Sequence, residues 1–227
     1  MVRHGPQGPD RRALERAGPV RAGGAVAGPG GHPCGRGVRQ VSTGTPDDLV
    51  TFGHGTAGPE DLVALLRTAE VRSVVDVRIG PGSRRNPHLA RDRLAEWLPG
   101  AGIGYRWEKA LGGFRKAPPD SPDVIWRNAS FRGYAAHTRD PAFVAAMDRL
   151  LADAARTRTA VMCGEAVWWR CHRRLIADFA VVARDVPAHH LMHDGRLTPH
   201  PPTPGVRLRP DGLLVYDDVA AAGGDDT

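Results

Sequence analysis

From Leu49 onward, short runs rich in valine and alanine alternate with stretches that carry apolar residues at helical spacing. LVTF (49–52), SVVDV (73–77), GIGYRW (102–107), TAVMC (159–163) and AHHLM (188–192) read as five strands. The segments between them read as helices. Pro59–Ala69 places Leu62, Leu65 and Leu66 on one face, and His88–Leu98 carries Leu89, Leu94 and Trp97; Asp140–Ala154 opens at Pro141, and Cys171–Val182 is the last. Strands this apolar are buried on both faces, and strands separated by helices pair in parallel. The pattern predicts a single compact α/β domain, with a mainly parallel sheet and helices on both faces. Residues 108–133, which include LGGF and PPDSPD, read as irregular.

The flanks differ from this body. Residues 1–48 contain 11 Gly and 6 Pro without apolar periodicity, too little apolar surface to offset the entropy of ordering the chain. They read as a disordered tail, or as the product of a start placed too far upstream. The α/β domain then spans 49–201, and 202–227 is a C-terminal extension to which no function attaches. The net charge of +6 divides evenly, with seven arginines against four acids in residues 1–48 and the other +3 in the remainder. The folded part is mildly basic, so an anion-binding argument must rest on local clusters. Three cysteines in 227 residues are not a disulfide framework; they fit reduced thiols in a cytosol. No run reaches the roughly 18 apolar residues of a membrane span, and no apolar signal segment opens the chain. The expectation is a cytoplasmic protein with no membrane partner.

In open parallel sheets, ligands bind outside the carboxyl ends of the strands. The first strand exits into Gly53, His54, Gly55 and Thr56, the second into Asp76, Arg78, Ser83, Arg84 and Arg85, and the fourth into Cys163, Gly164 and Glu165. Polar chemistry therefore gathers on one edge.

The motifs TFGHGT, VVDVR…P.SRRNPHL, GI.Y followed by LGG, FRGYA, MCGE…WRCHR and HL..DG….HP occur in that order. Together they resemble the bacterial and archaeal family called domain of unknown function 488, over about residues 50–201. The resemblance implies a compact α/β domain with a site at these motifs. It implies no reaction.

The residue types at the exits suggest chemistry, each with a structural alternative. Cys163 ends a buried strand near a helix start, where amides and the charge of His172 or Arg173 favour a thiolate. Glu165 would orient His172 or shuttle a proton. Alternatively Cys163 and Cys171 are core thiols and Arg173 pairs with Glu165. Arg78, Ser83 and Arg84 can surround an oxyanion through guanidinium forks; alternatively Arg78 pairs with Asp76, which points to the same face. His54 sits in a glycine turn that permits close approach of a phosphate. Phe131, Tyr134 and His137 either stack on a base or pin the long loop to the body. Of Trp168 and Trp169, one is expected to be exposed or to cover a ligand.

Metal is a further reading of the same residues. Cys163, Cys171 and His172, joined by His54 or His190, have soft-donor chemistry, but Cys-x7-Cys-His is not a recognised zinc spacing. The expectation is no cofactor, with zinc as the alternative. The leading functional expectation is an enzyme acting on a phosphate-bearing substrate, a nucleotide or nucleic acid. Cys163, Glu165 and His172 would be catalytic, while His54, Arg78, Ser83, Arg84, Arg173 and Tyr134 would bind the anion. The alternatives are a non-catalytic nucleic-acid-binding module and a thiol- or metal-responsive protein.

Overall fold

The computed structural model describes residues 48–82 and 86–217. Strands β1 (Leu49–Gly53), β2 (Ser73–Asp76), β3 (Gly104–Trp107), β4 (Thr159–Cys163), β5 (Ala188–Leu191) and β6 (Leu197–Pro199) form one sheet in the order β3-β2-β4-β1-β5-β6. All neighbours pair in parallel except β5 with β6. A second, two-stranded sheet pairs β7 (Val206–Leu208) with β8 (Leu214–Tyr216). The α/β reading holds: a mostly parallel sheet with helices on both faces.

The helices follow local chemistry. α1 (Pro59–Thr68) opens with Pro59, whose fixed φ suits a first turn. α2 (Arg91–Gly100) buries Leu94 and Leu98 against the same side of the sheet. α3 (Ala129–His137) is capped by Asn128, whose side chain accepts from the Ser130 and Phe131 amides at 2.8 and 3.3 Å. α4 (Pro141–Arg156) is capped by Asp140, which accepts from the Ala142 amide at 2.7 Å. α5 (Arg173–Asp178) runs on into a π-helical turn, Phe179–Ala183.

Alternation along the strands sorts the core. Val74, Ala160 and Met162 face α1 and α2, while Val75, Val161 and Cys163 face the side of Phe143, Met147 and Ile176. Three expectations change. The helix expected over His88–Leu98 is a short 3₁₀ turn, Pro87–Leu89, and then α2, separated by Ala90 in extended backbone. FRGYA, expected within an irregular region, lies on α3. Cys171 is extended, so the last helix begins at Arg173.

The segment after residue 201 carries no signal in the sequence, yet its β8 strand packs into the core. Leu214 and Tyr216 are fully buried. The Tyr216 hydroxyl donates to Asp178 at 3.1 Å, and the Tyr216 amide to Asp123 at 3.2 Å. Asp178 also accepts from the Thr203 amide and hydroxyl at 2.8 and 2.7 Å. The expectations for residues 1–47 lie outside the described residues.

Ending the chain at Pro201 should therefore destabilise the body strongly. Burial of a Leu and a Tyr alone contributes about 1.5–3 kcal/mol each, so urea unfolding should show a loss of about 3 kcal/mol or more. An unchanged unfolding midpoint would show that β7 and β8 are dispensable.

Candidate functional site

Parallel register brings three exits to one edge. Gly53 pairs with Cys163, and beyond the strands the His54 amide donates to the Cys163 carbonyl at 2.9 Å and the Val77 amide to the Met162 carbonyl at 3.0 Å. The Glu165 loop then crosses β1 so closely that a Cβ on Gly53 would lie 1.8 Å from the Glu165 carbonyl oxygen. Only glycine fits there. A 3₁₀ turn, Trp168–Arg170, returns the chain toward Cys163 and delivers Cys171 and His172.

His172 is the centre of the arrangement. Its Nε2 lies 3.1 Å from the Val77 carbonyl, its Nδ1 3.8 Å from Cys163 Sγ and 3.7 Å from Cys171 Sγ. A carbonyl only accepts, so Nε2 carries the proton. In the neutral ring, Nδ1 then presents its lone pair to both sulfurs. The three ligand-type atoms lie within 4.8 Å of one another. The Tyr134 ring packs against the imidazole with centroids 4.9 Å apart, and a Cβ on Gly113 would come within 3.0 Å of Nδ1.

The two thiols differ. The neighbouring Cys171 thiol, with His172 and the Glu165 amide, holds the Cys163 thiol well below its ordinary range, although burial acts the other way. Cys171, buried beside Cys163, is pushed well above it. Cys163 is thus the thiol that ionises first.

Cys163, Cys171 and His172 line a cleft of about 390 Å³. Ile79, Phe114, Phe131 and Tyr134 supply apolar wall, while Arg78, Glu165 and Arg170 supply charge. Phe131 stacks on Trp126 with centroids 4.8 Å apart, which fixes that wall. Phe114 is 87% exposed and has φ +57, a backbone region that bulky residues seldom occupy.

Several expected residues have other occupations. Glu165 lines the cleft but does not orient His172; the Val77 carbonyl does. Arg78 lines the cleft, yet its guanidinium grips the fully buried Asp76 at 2.6–3.1 Å and reaches His54 Nε2 at 3.2 Å. Tyr105 adds a hydroxyl to Asp76 at 2.9 Å. His54 lies behind Gly164, its Nδ1 2.9 Å from the Gly55 carbonyl, and burial lowers its pKa so that it stays neutral. Arg173 is 1% exposed and outside the cleft, donating to the Glu165 and Ala166 carbonyls at 2.5 and 2.8 Å. It ties the loop down through carbonyls rather than through the Glu165 carboxylate.

Tyr134 offers its ring only, because its hydroxyl donates to the Leu111 carbonyl at 2.7 Å. Ser83 and Arg84 lie outside the described residues. Neither expected fourth metal ligand joins the trio: His54 is held by Arg78, and His190 by Thr51 and His200 at 2.7 and 2.9 Å. Trp168 stacks on His190 at 4.1 Å, leaving Trp169 as the exposed member of the pair.

Sequence reasoning missed Arg170, which lines the cleft and has no carboxylate partner among the described residues. Its position beside Cys171 in WWRCHR was the available signal. The Val77 carbonyl, a backbone atom, left none.

Residues 58–180 match the family model described as Domain of unknown function DUF488. No curated protein and no solved structure matches the chain.

The Arg78–Asp76 pair makes a stability prediction. Replacing Arg78 by Met leaves a carboxylate buried without its cation, which costs about 3–5 kcal/mol. Denaturant unfolding should show that loss, and the double variant Asp76→Asn with Arg78→Met should recover part of it. A loss below about 1 kcal/mol would mean that Asp76 is solvated and Arg78 is free to bind ligand.

Proposed function

Because the chain belongs to the DUF488 family, whose description names no reaction, we propose its function from the cleft: an enzyme that uses Cys163 as nucleophile on a phosphate-bearing substrate, a nucleotide or nucleic acid. The observation that carries this reading is the bond from His172 Nε2 to the Val77 carbonyl. It leaves Nδ1 as the only ring position able to take the Cys163 proton, and it fixes the ring in the required orientation. Cys163 Sγ then attacks the phosphorus, the bond from phosphorus to the leaving-group oxygen breaks, and the imidazolium gives its proton to that oxygen; water or an acceptor hydroxyl then displaces the sulfur and returns a proton to His172. Arg170 holds the anion, since the other cleft guanidinium is committed to Asp76. Phe114 and Phe131 offer aromatic surface to a base.

The class is not that of a simple cysteine phosphatase. Those enzymes wrap the anion in a compact Cys-x5-Arg loop, whereas here Arg170 is the first arginine after Cys163, and Trp169 occupies the arginine's position, six residues on. The reaction is thiol-dependent transfer or hydrolysis.

The test is competitive alkylation with iodoacetamide on chelator-treated protein carrying Cys34→Ala, with modified sites read by mass spectrometry. Cys163 should react about tenfold faster than Cys171, and His172→Ala should slow Cys163 by about tenfold. Arg170→Ala should weaken binding of a nucleoside monophosphate by about tenfold. If Cys163 reacts no faster than Cys171, it is a core thiol. Retained oligonucleotide binding by such an inert protein would instead support the non-catalytic binding module.

A further inference from the structure

The same three side chains present a second chemistry that the nucleophile reading does not use. Two sulfurs and one imidazole nitrogen converge from a strand end and a returning loop. Among the described residues, the side-chain hydrogen-bond contacts of the two sulfurs and Nδ1 are with one another. With zinc–sulfur and zinc–nitrogen bonds of about 2.3 and 2.0 Å, the sulfur–nitrogen edge of a tetrahedral site is about 3.5 Å. The observed separations of 3.8 and 3.7 Å differ from that edge by only a few tenths of an ångström. The remaining ring nitrogen donates to the Val77 carbonyl, the outer partner that metal-bound histidines characteristically have, and it fixes Nδ1 as the ligand atom.

The geometry points to a binding site for a borderline-soft divalent cation of the zinc class, held by Cys163 Sγ, Cys171 Sγ and His172 Nδ1, with a fourth position open to the cleft. Thiolate ligands select against magnesium and calcium, which take oxygen. Three protein ligands lining a cleft are the arrangement of an open zinc site rather than a closed structural one. Arg170, on the same cleft, would face an anionic ligand completing the coordination. A sequence separation of seven residues between the cysteines hides this site, because the loop of Gly164–Arg170 folds back on itself before Cys171.

A cation held there goes beyond the nucleophile reading and excludes it in the loaded state, because it takes both the Cys163 thiolate and the base. The experiment titrates cobalt(II) into the full chain carrying Cys34→Ala, after chelator treatment and with all thiols verified as free. Two thiolates on tetrahedral cobalt give an intense near-ultraviolet sulfur-to-metal band and visible d–d bands. One equivalent should produce both, and zinc should displace them.

Cys163→Ser and Cys171→Ser should each remove about half of the charge-transfer intensity. Each should weaken affinity by more than the about 10–100-fold that loss of an outer partner costs. Circular dichroism of the metal-free variants checks that they fold, and zinc protection of Cys163 and Cys171 from iodoacetamide in the unsubstituted trio is the measurement that needs no ligand variant. Absence of the band, or a band unchanged in Cys171→Ser, overturns the site. If that happens while metal-free Cys163 still alkylates fast, the site falls and the nucleophile stands. Cobalt binding with an inert metal-free Cys163 means the reverse: the site stands and the nucleophile falls.

Discussion

The bond between His172 and the Val77 carbonyl joins the exit of β2 to the loop that follows β4, 95 residues along the chain. It sets the ring tautomer and turns Nδ1 toward the two sulfurs, and the surrounding structure serves to keep it in place. Gly113 lets the neighbouring loop reach the ring, and the Tyr134 ring packs against it. Behind the loop, Trp168 stacks on His190, which stays neutral because burial pushes its pKa down to about 2. From there a buried chain of hydrogen bonds passes through His200 to Asp178, and Asp178 also receives Tyr216 from the C-terminal hairpin. The segment that delivers Cys171 and His172 is thereby tied to the end of the described chain.

Charge on this edge divides by burial. Arg78 and Arg173 look like anion grips in the sequence, but each is committed to neighbours within the protein. Arg78 neutralises a fully buried carboxylate, and Arg173 saturates two loop carbonyls. A guanidinium released from a buried carboxylate leaves a bare charge behind, and the cost of several kcal/mol exceeds what one solvent-exposed phosphate contact returns. Exposed Arg170 has no such commitment. Of the two cleft guanidiniums, Arg170 is therefore the one that the proposed function assigns to an anion, beside Cys171.

Much of this was legible in the sequence because valine and alanine runs mark buried parallel strands. TAVMC matches β4 residue for residue, and Cys163 stands at its exit as expected. Other features were hidden for identifiable reasons. FRGYA holds a glycine and two aromatics, poor helix formers, so α3 depends on its Asn128 cap and on packing. The β7–β8 hairpin is short and follows a proline-rich stretch, so its buried Leu214 and Tyr216 show no periodicity. The spacing rule for zinc motifs presumes ligands on one tight turn. Here the turn is a whole loop, and its closure depends on Arg173 and Gly53, which no ligand pattern contains.

The proposed nucleophilic and metal chemistries share one lone pair. With Nε2 committed to Val77, His172 has only Nδ1 to offer, and Nδ1 can hold a proton or a cation but not both. The two sulfurs follow the same choice. Without metal, the two thiols are unlike: Cys163 is held low and its neighbour Cys171 is pushed high. With metal, both sulfurs must be deprotonated, and that difference is lost. The asymmetry between the thiols thus belongs to the metal-free site, where the proposed reaction would use Cys163 alone. A bound cation makes them equivalent ligands, so the balance between the two chemistries is a competition of protons with metal for the same three atoms.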